Sequence, residues 1–193
     1  MNTGYAVSDG VLALACIVIV VRAAKTRPGV ALACGAVGAA AILGVLRFSG
    51  VAEATGAHRF LSLIGSTAAL PLLAASLVWP DIKAGKTVRG AALSLLIGSA
   101  IGIALVAGAG FALWGQVVPA ASALVILVGA IAKRAARPIA GAIVLVATFG
   151  LVAGNLTLGG FAPIETLHYG MTVALLLLCL KANDYGRHPT RDD

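Results

Sequence analysis

Charged residues are scarce in this 193-residue chain: Asp, Glu, Lys and Arg together make up 11% of it, against about 25% in a typical soluble domain. That scarcity excludes an ordinary water-soluble globule, and no polar stretch is long enough to build a separate soluble core. Cysteine is equally sparse. Cys16, Cys34 and Cys179 each fall inside an apolar run and form no CxxC pair, which excludes a disulfide framework or zinc-finger spacing and leaves them as small core residues. The N-terminus lacks the positive leader of a signal peptide, since Arg22, Lys25 and Arg27 follow the first apolar run instead of preceding it. That run is expected to remain as a span.

What fills the chain is apolar: 60% of it is hydrophobic and its mean hydropathy is +1.03. The pattern predicts an all-α polytopic membrane protein, a bundle of seven transmembrane helices in one domain, residues 1–182, with a polar cytoplasmic tail at 183–193. The first span is expected from about Val7 to Ala24 and the second from Gly29 to Leu46. The third runs from His58 and Arg59 to Trp79, and Pro71 in its middle is expected to kink it. The fourth runs from Ala91 to Trp114, the fifth from a short connection at Gly115–Pro119 to Ala132, the sixth from Pro138, and the seventh to Leu180. Gly98 and Gly102 make a GxxxG step, read first as packing inside the chain and second as the face of a homo-oligomer. Asn155-Leu-Thr157 matches a glycosylation sequon but lies against the membrane.

The net charge of +7 would suggest nucleic acid in a soluble protein. Here the basic residues lie in short clusters between apolar runs, so their partner is the lipid bilayer, and no nucleic-acid binding is expected. Of the 14 Lys and Arg, 12 fall in the connections after spans one, three and five or at and beyond the end of span seven, and only Arg47 and Arg59 fall on the other side. The positive-inside rule then puts the N-terminus out and the C-terminus in, across a plasma (inner) membrane.

That topology gathers the ionisable residues of the outer side: Asp9 at the head of span one, Arg47, Glu53, His58 and Arg59 around spans two and three, Glu165 and His168 at the head of span seven. Two imidazoles and a carboxylate are the ligand set of catalytic zinc sites, which leave a fourth position for an activated water. Asp9, His58 and His168 are the expected metal ligands; iron or manganese can use the same groups. Glu165 is three residues before His168 and on its face, as a further ligand, an orienter of the ring, or the general base. Ser62, one turn after His58, is placed to hold an oxyanion or a ligand. Taken singly, each also fits a structural role: a capping Asp, or an interfacial His paired with a carboxylate.

Seven spans, an Asp in the first, a His with a Ser one turn away in the third, and a His at the head of the seventh resemble the seven-helix membrane hydrolases that include the alkaline ceramidases and the progestin and adiponectin receptors. The nearest likeness is to an uncharacterised bacterial branch whose last helix opens with an acidic-x-x-His step, here Glu165 and His168. The resemblance implies zinc and hydrolysis of an amide or ester in a lipid-like substrate. Thr172 stands where the characterised members carry a second His on the last helix, Ser62 follows its His instead of preceding it, and the site is expected at the outer end. A retinal protein is excluded because no lysine stands mid-way along the last span. Two matching halves with broken helices are not found, while a non-enzymatic packing or assembly protein, or a small transporter, stays open as the alternative.

Overall fold

The computed structural model describes residues 2–180; the expected tail lies outside them. Eight helices follow one another: α1 (Thr3–Ala23), α2 (Pro28–Phe48), α3 (Ala54–Val78), a one-turn α4 (Lys83–Lys86), α5 (Val88–Gly108), α6 (Trp114–Ala132), α7 (Ala136–Ala153) and α8 (Pro163–Cys179). Six of them, α1, α2, α3, α5, α6 and α7, are long and apolar enough to cross a membrane, and α8 is a shorter apolar helix of 17 residues. The chain is an all-α, multi-pass membrane bundle.

The helix starts follow local chemistry. The Asn2 side chain accepts from the Tyr5 amide at 3.4 Å to cap α1, and Thr87 caps α5 through the Gly90 amide at 3.0 Å. Pro28 and Pro163 occupy the first positions of α2 and α8, where a missing N–H costs nothing. At the opposite ends the basic clusters close helix C-termini. Arg27 donates to the Cys179 carbonyl, Arg137 to that of Leu176 at 3.1 Å, and Lys133 to those of Leu77 and Val78 at 3.3 and 2.7 Å. Burial pulls the Lys133 ammonium below its ordinary range, yet the α3 carbonyls hold it in place.

The boundary between the fourth and fifth spans differs from the sequence reading. The connection before α6 is 109–113, with Gly110 at φ +70°, and Gly115 to Pro119 already belong to the helix. Pro119 lies inside it as the sixth residue, past the first-turn amides that lack partners, so it removes one intrahelical hydrogen bond. In α3 the helix runs on through Pro71. The backbone ladder shifts register in a π-turn over Gly65–Ala69, with Leu70 N–H bonded to the Gly65 carbonyl, and the Ser66 and Thr67 hydroxyls both turn back to the Leu63 carbonyl.

Packing closes a ring. α1 lies between α2 and α8, α2 reaches α3, α3 reaches α6 from its π-turn onward, and α7 joins α6 to α8. α5 stands outside, against α3, with few of its residues buried. Its two glycines are already used: a Cβ on Gly98 would lie 3.0 Å from that of Ala68, and one on Gly102 would lie 2.1 Å from Thr67 Oγ1. The GxxxG step is an intramolecular seam, the first of its two expected uses.

Candidate functional site

Alternating helices bring the heads of α1, α3, α6 and α8 and the tails of α2 and α7 to one end of the bundle. A cavity of about 560 Å³ opens there inside the ring. Its walls are mostly apolar, with Leu12, Val37, Leu70, Phe149 and Met171 among them, and its polar lining is Asp9, His58, Ser62, Ser66, Gln116 and His168. Four of the five residues expected from the sequence therefore share one cavity.

Asp9 and His168 form its most constrained part, with Asp9 only 1% and His168 8% exposed. Asp9 Oδ1 lies 3.4 Å from His168 Nδ1, and Ser8 Oγ lies 3.1 Å from the same nitrogen. The Ser8 hydroxyl spends its hydrogen on the Tyr5 carbonyl at 3.0 Å, so Ser8 accepts and His168 donates. This assigns the proton to Nδ1 and leaves Nε2 with its lone pair free. Asp9 is seated by Gly44 of α2: a Cβ there would come within 2.2 Å of Oδ2, an oxygen that is itself buried without a hydrogen-bond partner. An uncompensated carboxyl oxygen inside an apolar bundle is costly and marks a functional group by default.

His58 repeats the arrangement from α3. Its Nδ1 lies 3.0 Å from the Ala40 carbonyl, which can only accept, so Nε2 is again the free nitrogen. Phe48 meets its ring edge-on at 5.8 Å, and Tyr5 packs on Phe48 in turn. Both rings are thereby fixed in orientation.

Glu165 does not join them. Its Oε2 accepts from the Ala162 amide at 2.8 Å, the glutamate half of a capping box in which Ala162 has no acceptor to return, while Oε1 abuts Gly4 of α1. It is absent from the cavity lining. Asp9, for its part, is not the cap of α1, a role that Asn2 fills. The sequence reading leaves out three polar residues of the site, Ser8, Ser66 and Gln116. Gln116 falls in the connection expected at Gly115–Pro119, and its being the one glutamine of the chain was the available signal.

The donor set decides how well zinc fits. Among the described residues no three His, Cys, Asp or Glu side chains come together as a group able to hold a metal ion. Asp9 Oδ1 faces His168 Nδ1 at 3.4 Å while Oδ2 is wedged against Gly44, Glu165 caps its own helix, and a lone pair on each of two rings remains. The expected zinc triad of Asp9, His58 and His168 is not assembled.

Fold and site define a polytopic membrane helical bundle with an amphipathic cavity at one end and a carboxylate-tethered histidine in its wall. Comparison with models of known families, with characterised proteins and with solved structures finds no match.

Proposed function

We propose that this chain is a seven-span protein of the plasma (inner) membrane, N-terminus out and C-terminus in, that takes a lipid-like molecule into its outer-end cavity and hydrolyses an amide or ester in it. The observation that carries the reading is that Asp9 and His168 line the cavity with Ser8 and Asp9 both against His168 Nδ1, contacts that assign the proton to Nδ1. In this reaction His168 Nε2 takes a proton from a water as its oxygen attacks the carbonyl carbon. Asp9 stabilises the imidazolium that forms. The imidazolium then returns the proton to the departing nitrogen or oxygen as its bond to carbon breaks. No step passes through a metal.

The resemblance to the seven-helix hydrolases supports the same reaction class, because four of the residues that carry it, Asp9, His58, Ser62 and His168, line one cavity, while the fifth, Glu165, does not. The alternative of an assembly protein had leaned on Gly98 and Gly102, and both pack against α3 of the same chain.

Hydrolysis is tested with the protein in nanodiscs and fluorogenic acyl amides and esters: turnover by the wild type and its loss in His168→Ala are expected, and equal turnover in the two overturns the reading. Orientation is tested by single cysteines in a background with Cys16, Cys34 and Cys179 replaced. Thr55→Cys should react with an impermeant reagent from outside and Lys86→Cys should not, and the reverse pattern inverts the topology.

A further inference from the structure

Charge is spread unevenly over the cavity end of the bundle. The connection between α2 and α3 carries Glu53, with Arg47 and Arg59 on either side of it. The other two connections at that end, 109–113 and 154–162, carry none: no Asp, Glu, Lys, Arg or His stands between Arg89 and Lys133 or between Arg137 and Glu165. They present Phe111, Leu113, Leu156, Leu158 and Phe161 instead, each between 47% and 59% exposed. Both are folded turns. Gly110, Asn155, Gly159 and Gly160 take positive φ. The backbone meets its own partners, with Leu156 N–H donating to the Leu151 carbonyl at 2.8 Å, Phe161 N–H to that of Leu158 at 3.0 Å and Trp114 N–H to that of Phe111 at 3.1 Å.

Helix length decides where these turns come to rest. Lys133, Arg134 and Arg137 set the α6–α7 turn at the opposite border of the membrane, because cations settle at its aqueous face. From there α6, with 19 residues, and α7, with 18, rise about 29 and 27 Å at 1.5 Å per residue, and α8, with 17, rises about 26 Å. The hydrocarbon core is about 30 Å thick. These three helices fall just short of clearing it, and any tilt shortens their reach further. α1 and α2, with 21 residues each, and α3, with 25, rise about 32 and 38 Å and do clear it.

We propose that the turns 109–113 and 154–162 are seated in the boundary between acyl chains and headgroups of the leaflet at the cavity end, while the α2–α3 connection stands in water. The partner is the bilayer itself, because the apolar surface of the turns continues the lipid-facing sides of α6 and α7, where Val117, Val128 and Ile143 are exposed. A turn whose backbone is paired internally leaves water at little cost. The rings of Trp114 and Tyr169, beside Phe111 at 6.3 Å and Phe161 at 5.3 Å, supply the aromatic belt usual at that depth. A mismatch of this sign is relieved by local thinning of the bilayer over the short helices. The cavity end then has two neighbours, water on the α2–α3 side and lipid on the α6–α8 side. This seating holds in either orientation of the chain, with or without hydrolysis.

The test places single spin labels at Leu113→Cys, Leu156→Cys and Leu158→Cys in liposomes, with Cys16, Cys34 and Cys179 replaced. All three positions are exposed, so the label displaces no packing. Ala52→Cys in the charged connection and Val128→Cys on α6, both exposed, are the references. Collisions with oxygen, which concentrates in lipid, and with a water-soluble nickel chelate are read by power-saturation EPR. The turn labels should relax more through oxygen than through nickel, as the Val128 label does, and the Ala52 label should do the reverse. Turn labels that behave like Ala52 stand in water and overturn the proposal. Labels shielded from both reagents are covered by protein, a second copy of this chain, and overturn it as well. A native probe gives an independent reading, since Trp79→Phe leaves Trp114 as the one tryptophan. Its emission should be quenched more by lipids brominated near the ester end of the acyl chain than by aqueous acrylamide, and the opposite order counts against the proposal.

Discussion

Asp9 Oδ1 and His168 Nδ1 meet at 3.4 Å and tie the first helix of the bundle to the last. The contact is buried, and Ser8 completes it from the residue beside Asp9. Asp9→Asn keeps the shape but can turn an N–H toward the ring and favour the wrong tautomer. Turnover should fall by about 10²–10⁴, the range typical of lost acid–base catalysis, with KM for the amphiphile little changed. A loss confined to KM would show that Asp9 binds substrate instead of orienting His168.

Metal analysis of the purified protein addresses the zinc expectation directly. The paired state of Asp9 and the capping role of Glu165 leave too few ligands, so less than one equivalent of any transition metal is expected, unchanged in His168→Ala. A stoichiometric ion lost in that variant would restore the metal reading.

Gly44 is the most demanding of the close approaches at the site. In Gly44→Ala the new methyl would come within 2.2 Å of Asp9 Oδ2, so α1 and α2 must separate or the carboxyl must leave its seat. A loss of about 1–3 kcal/mol is expected, the usual cost of overpacking, together with loss of turnover. Gly56→Ala is the control. Nothing lies within 4 Å of a Cβ there, and thermal unfolding should be unchanged or slightly higher.

The basic clusters also hold the chain together. Arg137→Met removes the donor to the Leu176 carbonyl near the end of α8, and a charged group near a helix C-terminus is worth about 0.3–1 kcal/mol. A reduction of that size in unfolding free energy, insensitive to the charge of the surrounding lipid, is expected. No change would mean that the residue acts only through topology.

Asp81 and Lys86 meet at 2.8 Å in the connection that carries α4, and the ammonium holds the carboxyl below its usual range. Because the folded-state value is depressed, the pairing is present above the ordinary carboxylate range and is lost as pH falls through the lowered value. NMR shifts of residues 81–86 should report that loss on acidification, and in Lys86→Met the Asp81 titration should move upward.

The helices and the end at which the site forms were legible in the sequence, for physical reasons. Apolar runs of this length have few alternatives in lipid, because every backbone amide must find its partner within the helix. Alternation of short connections then fixes which helix heads share an end, so Asp9, His58, Ser62 and His168 were drawn to one cavity from their positions alone. Glu165 shows the limit of that reasoning. The spacing that sets it on the face of His168 also makes it the third residue of α8, and the local need to satisfy the Ala162 amide claims its carboxylate.

What only the tertiary structure decided is which atoms are spent and which are free. Ser8, Asp9 and His168 are held together by the packing of α1 against α8, the seat of Asp9 is formed by the bare backbone of Gly44 in α2, and the place of Gln116 in the cavity lining depends on α6 beginning at Trp114. Periodicity and charge bias act along one chain and report sides and faces. Tautomer, ligand count and the gathering of a site depend on distances of a few ångströms between helices, and these are set by side-chain volumes that meet only once the bundle has closed.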